Sequence, residues 1–352
     1  MKAFLKIFVL TTVFFAFASC ASAQKGVQIV PDDAQRKVDV LYNGQLFTSY
    51  IYPADLEKSV LYPIYTAKGT DITRGFPLNP RPFEQQDHPH HIGSWFNFGD
   101  VNGLDFWNNS YAVAAERKSR YGTIRHRSIV SAESGANQGV LVVAADWVDH
   151  TEKVLLKEET KFVFKGEGDW RIIERITTLT AQLDTVTFTD NKEGMIAIRM
   201  DKAFEEPSDR PGSYTDAHGN ITEVRSVSTE GRNGVYRNSE GLTKGDVWGQ
   251  PTKWVSLSAD KEGELITVAI LDHKANPGYP AHSHARGYGL FSTNNMGSRT
   301  MVNNPSMAGD RQLFKLTLTR GQSVTFKHQI IVKTGSFATD EEINKQFALF
   351  NQ

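Results

Sequence analysis

Cysteine is almost missing from this chain: Cys20 is the only one among 352 residues. The sequence beyond it therefore has no disulfide, no thiolate nucleophile and no cysteine-built zinc or iron–sulfur site. An excess of charge is missing too, with 39 basic against 40 acidic residues and no long run of either sign. That balance leaves no electrostatic footprint for nucleic acid or an anionic membrane surface. After the first two dozen residues no apolar run reaches the ~20 residues a membrane-spanning helix requires, so no transmembrane segment is expected in the mature chain. Also lacking are a Gly-x-Ser-x-Gly elbow, a phosphate-binding glycine loop and a dinucleotide fingerprint, which argues against serine hydrolase, nucleotide and nicotinamide chemistry.

The first residues carry an address. Met1-Lys2-Ala3 and Lys6 supply positive charge, Ile7 to Ala18 form a short apolar run, and small residues follow. This is the three-part pattern of a secretory signal peptide. Ala21-Ser22-Ala23 fits cleavage before Gln24, while Phe17-Ala18-Ser19-Cys20 is a loose lipoprotein box that would put a lipid anchor on Cys20. Either route predicts an exported protein in the periplasm or at the cell surface, with a leader over 1–23 and a single domain over 24–352.

Most of the remaining sequence reads as strands. Arg36–Tyr42 and Gln45–Tyr52 alternate around Asn43-Gly44, a dipeptide suited to a tight hairpin. Further β-type segments are Gly139–Val148, Lys153–Phe164, Trp170–Thr180, Thr185–Phe188, Met195–Met200, Lys253–Leu257, Leu265–Leu271, Gln312–Thr319 and Ser323–Val332. Many short strands at regular spacing predict an all-β sandwich or barrel. Thr339-Asp340-Glu341-Glu342 is a capping box that opens an amphipathic helix to about Phe350. The stretch Glu206–Lys244 reads either as a rim or lid over a site or as an inert surface insertion.

Six of the ten histidines fall in two short stretches: His88, His90 and His91, then His273, His282 and His284. Pro89 forces extended backbone before it and removes a donor, so the first stretch displays its imidazoles from an edge or loop. Trp95 and Trp107 nearby are candidate platforms for a sugar ring. If His282–Tyr288 is one strand, its period of two puts His282, His284, Arg286 and Tyr288 on one face, with small residues behind. Imidazole, guanidinium and phenol in a row are poor core material, because an unpaired buried charge costs several kcal/mol. Glu193 and Arg199 form a third candidate group.

Two chemistries fit. In one, a histidine (His284 or one of His88, His90 and His91) removes a proton α to a carboxylate, Arg286 clamps that carboxylate, and Tyr288 or a second histidine protonates the leaving oxygen. That is a lyase or dehydratase step on an oligosaccharide containing a uronic acid. In the other, His88, His90 and His284 with a carboxylate such as Asp87 hold a divalent metal that polarises a sugar oxygen or activates water. A mutarotase-like epimerase and a non-catalytic sugar-binding protein stay open beside these two.

The motifs also carry a resemblance. Asp87-His88-Pro89-His90-His91 followed by Asp100-Val101-Asn102-Gly103-Leu104-Asp105-Phe106-Trp107 resembles the PmoA-like domain family of exported Bacteroidetes and Planctomycetes proteins. The resemblance continues through Leu61-Tyr62-Pro63, Thr73-Arg74-Gly75, Glu193-Gly194 with Arg199, Trp248-Gly249 with Trp254, and Asp272-His273 and Asn276-Pro277 to the His284–Leu290 run. That family is labelled after a methane mono-oxygenase subunit, an integral membrane protein, so the label is set aside as a name. The resemblance implies carbohydrate metabolism and a large antiparallel β-sandwich of the galactose-mutarotase type with a site in a concave sheet. It adds Arg74, Asn102, His273 and Asn276 to Trp95, Trp107, Glu193, Arg199 and His282 as candidate substrate-binding residues. Ala281-His282-Ser283 stands where relatives tend to carry an aromatic residue, which sets His282 apart.

Overall fold

The computed structural model describes residues 25–352 apart from 209, 210, 217, 219, 227, 228, 303–308 and 310. The expected leader and the expected lipid attachment at Cys20 lie outside the described residues.

Two eight-stranded antiparallel sheets form the body. The first runs, from edge to edge, through Val27–Asp32, Lys37–Tyr42, Gln45–Ile51, Val60–Ile64, Ser94–Phe98, Gly194–Arg199, Leu290–Asn294 and His282–Arg286. The second runs through Val235–Asn238, Trp254–Lys261, Glu264–Asp272, Ser323–Thr334, Trp170–Ala181, Val154–Glu167, Gln138–Val148 and Thr123–Glu133. Their facing sides share one core, in which Phe47 meets Phe164 edge-on and Phe96 meets Phe326 at 5.8 Å between ring centroids. The fold is a large antiparallel β-sandwich with one short C-terminal helix.

Local chemistry explains the parts. Asn43 and Gly44 both take positive φ, 51° and 79°, so Tyr42 and Gln45 pair directly across a two-residue turn whose twist matches the strands. Along Trp170–Ala181 buried and half-buried positions alternate without a break, the period of a strand covered on one face. In the Asp340–Phe350 helix, Glu342 N–H donates to the Thr339 hydroxyl while Thr339 N–H donates to the Glu342 carboxylate. Ile343 and Phe347 then bury against Trp254, Leu271 and Ile331.

Several strands carry no alternation to read. Ser94–Phe98 and Leu290–Asn294 are buried at every position, and Val60–Ile64 contains Pro63. The expected strand His282–Tyr288 stops at Arg286. Gly287-Tyr288-Gly289 makes the turn into Leu290, with Gly289 at φ +82° and its N–H donating to the Arg286 carbonyl at 3.0 Å.

The first sheet has two unlike faces. Phe96, Ile196, Ala285 and Phe291 point into the shared core. On the opposite face the register lines up Trp95, Ala197, Ser292 and His284 in one row across four strands, and Arg199, Leu290 and Arg286 in the next.

Candidate functional site

A cleft of about 610 Å³ opens on that outer face. Its walls are the 85–91 loop, Trp107 and Asn108, Lys192 and Glu193, Glu206 to Ser208 with Pro211, Gly245 with Trp248, and the run from His284 to Tyr288. All six residues singled out as catalytic candidates (His88, His90, His91, His284, Arg286 and Tyr288) line it, together with Trp107 and Glu193.

Buried cations shape the histidine loop. Arg74, which is fully buried, donates to the carbonyls of Gln85, Asp87, His88 and His91 at 2.8–3.1 Å and to Asp87 Oδ1 at 2.6 Å. Lys58, also buried, donates to the His90 carbonyl at 2.8 Å. Burial pushes the Lys58 ammonium down to about 7, against the pull of Glu57. His88 turns the chain with φ +44°, and His91 N–H closes the turn onto the His88 carbonyl.

Asp87 is the hub. Its Oδ1 also accepts from Arg199 at 2.7 Å, and its Oδ2 lies 2.6 Å from His88 Nδ1. Burial works to raise the Asp87 carboxyl, but Arg199, the His88 hydrogen bond and Arg74 outweigh it and hold the group well below the usual carboxylate range. An ionised Asp87 accepts, so His88 donates from Nδ1, and the neutral tautomer this selects has its lone pair on Nε2. The rings then stack: Trp95 on His91 at 5.1 Å, His91 on His88 at 4.8 Å, and His88 on Tyr288 at 5.1 Å, all within 19° of parallel. Arg199 sits 4.8 Å over the Tyr288 ring. Burial raises the Tyr288 phenol, opposed by Arg199 and reinforced by Asp87, which keeps its hydroxyl protonated at neutral pH.

The facing wall is aromatic and cationic. His284 is stacked on Trp107 at 5.7 Å and meets Trp248 edge-on at 4.9 Å, with its Nε2 3.9 Å from Glu193 Oε2. The Arg286 guanidinium lies 3.6 Å from the Trp248 ring centroid, a distance for strong cation–π attraction. Glu193 Oε1 is paired with Lys192. Burial, then Arg286 and Lys192, drive the His284 pKa well below the ordinary value; burial, then His90 and Arg199, do the same for His91. His90 is lowered by burial and by Lys58. These three imidazoles are neutral at neutral pH.

Other sequence candidates lie elsewhere. Arg74, Trp95 and Arg199 are buried beneath the cleft and support its floor. Asn102 holds a turn, accepting from Thr187 N–H and donating to the Thr185 carbonyl. His273 packs edge-on against Phe350, and Asn276 bridges the Asp272 carboxylate and the Lys327 carbonyl. His282 shares a strand face with His284 but opens into a different pocket with Ser298, Arg311 and Lys315. Among the described residues no group of three or more His, Cys, Asp or Glu is arranged to hold a metal ion. Of the three histidines considered above as metal ligands, His88 has its Nδ1 on Asp87, and Glu193 is the carboxylate facing His284.

Sequence reasoning did not single out Lys192, Gln85 or Asn108 as lining residues, and it met Trp248 only as part of a motif. Trp248 comes close because Gly249 N–H donates to the Ser283 carbonyl, which docks the 248–250 segment along the His284 strand. Of the Glu206–Lys244 stretch, Glu206, Pro207, Ser208 and Pro211 form part of the rim.

Fold and site together define a class: a two-sheet antiparallel β-sandwich with an aromatic and cationic cleft on the outer face of one sheet. Within it, the chain belongs to a family of unknown function (DUF6807), which matches residues 37–348. That match corrects the PmoA-like resemblance, since nothing shows a PmoA-like domain. No curated protein matches the chain in sequence. Solved structures with a similar fold include a GH36 α-galactosidase of Geobacillus stearothermophilus, with 11% identity, TM-score 0.40, and coverage of 88% of this chain and 41% of that one. A galactose mutarotase related enzyme of Lactobacillus acidophilus has 10% identity and TM-score 0.30, covering 88% of this chain and 97% of that one. The chain spans about two-fifths of the galactosidase, and likeness at this level assigns neither residue nor substrate.

Proposed function

We propose that the cleft is the active site of an exported carbohydrate-active lyase or dehydratase, acting on an oligosaccharide that contains a uronic acid. His88 is the base: its Nε2 takes the proton α to the carboxylate. Arg286 binds that carboxylate through the edge of its guanidinium while Trp248 holds the face, and Lys192 adds positive charge for the enolate-like intermediate. The C–O bond β to the carboxylate then breaks, the Tyr288 hydroxyl protonates the departing oxygen, and a carbon–carbon double bond remains. His88 returns its proton to the Tyr288 phenolate through solvent, so the cycle balances without a cofactor.

The observation that carries this reading is the 2.6 Å contact between Asp87 and His88, with Arg74 and Arg199 fixing the carboxylate. It orients a half-exposed imidazole as a proton acceptor beside a cation and a protonated phenol. The test is incubation with a panel of acidic oligosaccharides while absorbance is followed near about 235 nm, where an unsaturated uronate produced by proton abstraction absorbs. A flat trace with every acidic substrate, alongside measurable binding, would make the protein a sugar binder instead.

A further inference from the structure

The pairing of Glu193 with His284 stops short of a hydrogen bond. Oε2 and Nε2 stand 3.9 Å apart, beyond hydrogen-bond reach. Side chains that merely stabilise each other close such a gap; a gap of this size between polar atoms on a cleft wall leaves room for one oxygen in contact with both. Lys192 already satisfies Oε1, so Oε2 is the oxygen left for that role.

The two atoms are also a matched donor and acceptor. His284 Nδ1 is buried with no partner among the described residues, a cost that is smaller for a lone pair than for an N–H. A carboxylate facing Nε2 favours the proton there as well, so the neutral ring points Nε2–H toward the cleft. Burial and the cations Arg286 and Lys192 keep the ring neutral. A neutral N–H donor beside a carboxylate acceptor suits a group that both accepts and donates. A substrate carboxylate cannot donate and is repelled by Glu193; a sugar hydroxyl does both.

We propose that Glu193 and His284 form a hydroxyl-reading pair, which takes one free hydroxyl of the substrate sugar between them and rejects sugars that lack it. The position follows from the strand. His284 and Arg286 are two residues apart on one face, so their reach differs by roughly 6.5–7 Å, a separation comparable to the width of one sugar ring. With the carboxylate on Arg286, the hydroxyl read lies across the same ring. This rests on the uronic-acid reading above and adds a specificity that elimination alone does not require.

The probes are methyl glycosides of glucuronic, galacturonic and mannuronic acid, together with their mono-deoxy and mono-O-methyl analogues, titrated calorimetrically into the full chain. The expected result is that one analogue, lacking one particular hydroxyl, binds at least ~100-fold more weakly than its parent, because it leaves buried His284 and part-buried Glu193 without the group that bridges them. His284→Phe weakens the parent to the level of that analogue and leaves the analogue unchanged. Glu193→Gln, which keeps an acceptor oxygen, stays within about tenfold of wild type; should His284→Phe fail to fold, Glu193→Leu takes its place in the same comparison. Analogues that all bind like the parent, or a discrimination that survives both apolar variants, would overturn the pair while leaving elimination untouched. Discrimination without absorbance would overturn elimination and leave the pair standing. No binding by any glycoside would overturn the pair, and a flat trace with every acidic oligosaccharide besides would overturn both. Loss of turnover in Glu193→Gln with binding intact would make the pair a proton-transfer device, as in a mutarotase-like reaction, and also overturn the proposal.

Discussion

Asp87 Oδ2 lies 2.6 Å from His88 Nδ1, and the other oxygen of the same carboxylate is shared between two buried guanidiniums. Asp87→Asn keeps the shape and removes the charge. The amide donates as readily as it accepts, so the His88 tautomer is no longer fixed, and turnover is expected to fall by ~10²–10⁴. Far-UV circular dichroism should change little, because Arg74 keeps its four carbonyl contacts. Turnover within a few-fold of wild type would remove Asp87 from the mechanism.

Arg74 tests the scaffold rather than the chemistry. Arg74→Met takes the guanidinium away from four loop carbonyls and leaves Asp87 Oδ1 with Arg199 alone, a loss expected to cost about 3 kcal/mol or more. Arg74→Lys should recover little of it, since a single ammonium cannot spread over a fork of carbonyls. Urea midpoints measure the loss, and amide exchange across 85–91 should rise in both variants. A midpoint unchanged in Arg74→Met would show that the loop is shaped by something else.

The convergence of the histidines was legible in the sequence because bunching and a two-residue period are local signals. The period placed His284 and Arg286 correctly, while Tyr288 reaches the same cleft by a different route, the Gly287–Gly289 turn. The same period put His282 on that face as well, but one more step along the strand opens it into the Ser298 and Arg311 pocket. Arg74 and Arg199 read as binding residues because a single sequence cannot tell which side of a loop a guanidinium occupies. Here both lie underneath and hold the loop from within. Ser94–Phe98 went unread for a related reason: both faces are covered, and its two polar residues, Ser94 and Asn97, stand three apart and so mark no period of two.

Arg286 and Trp248 give a prediction about substrate charge. Stacking at 3.6 Å fixes the guanidinium plane, so Trp248→Ala should loosen the clamp and Arg286→Ala should delete it. A charged hydrogen-bond pair is worth about 1.5–3 kcal/mol, so KM for a uronate-containing oligosaccharide should rise ~10–100-fold in Arg286→Ala and by less in Trp248→Ala. The methyl-esterified form of the same oligosaccharide should be nearly insensitive to both changes. Equal losses for acid and ester would show that Arg286 does not read the carboxylate.

The last prediction concerns acid. His91, His284 and His328 are fully buried, and burial lowers all three, His328 to about 3 with Arg175 and His273 contributing. A histidine whose folded pKa lies below its unfolded value of ~6.5 adds stability that is complete above ~6.5 and is lost as pH falls toward the folded pKa. At pH 5 the unfolded state has taken up those protons and the folded state has not, which costs about 2 kcal/mol for each ring. Asp272 runs the other way: burial raises it to about 6 against its hydrogen bonds from Asn295 and Asn276, so its penalty eases as pH falls below 6. Three histidines outweigh one carboxyl, and the urea midpoint should drop clearly between pH 7.5 and pH 5.0. A midpoint that stays level would mean that some of these rings take up protons in the folded protein. If His284 were among them, its Nε2 would still donate, but from an imidazolium, and below its pKa the pair would be an ion pair with Glu193 in place of the neutral donor and carboxylate acceptor argued above.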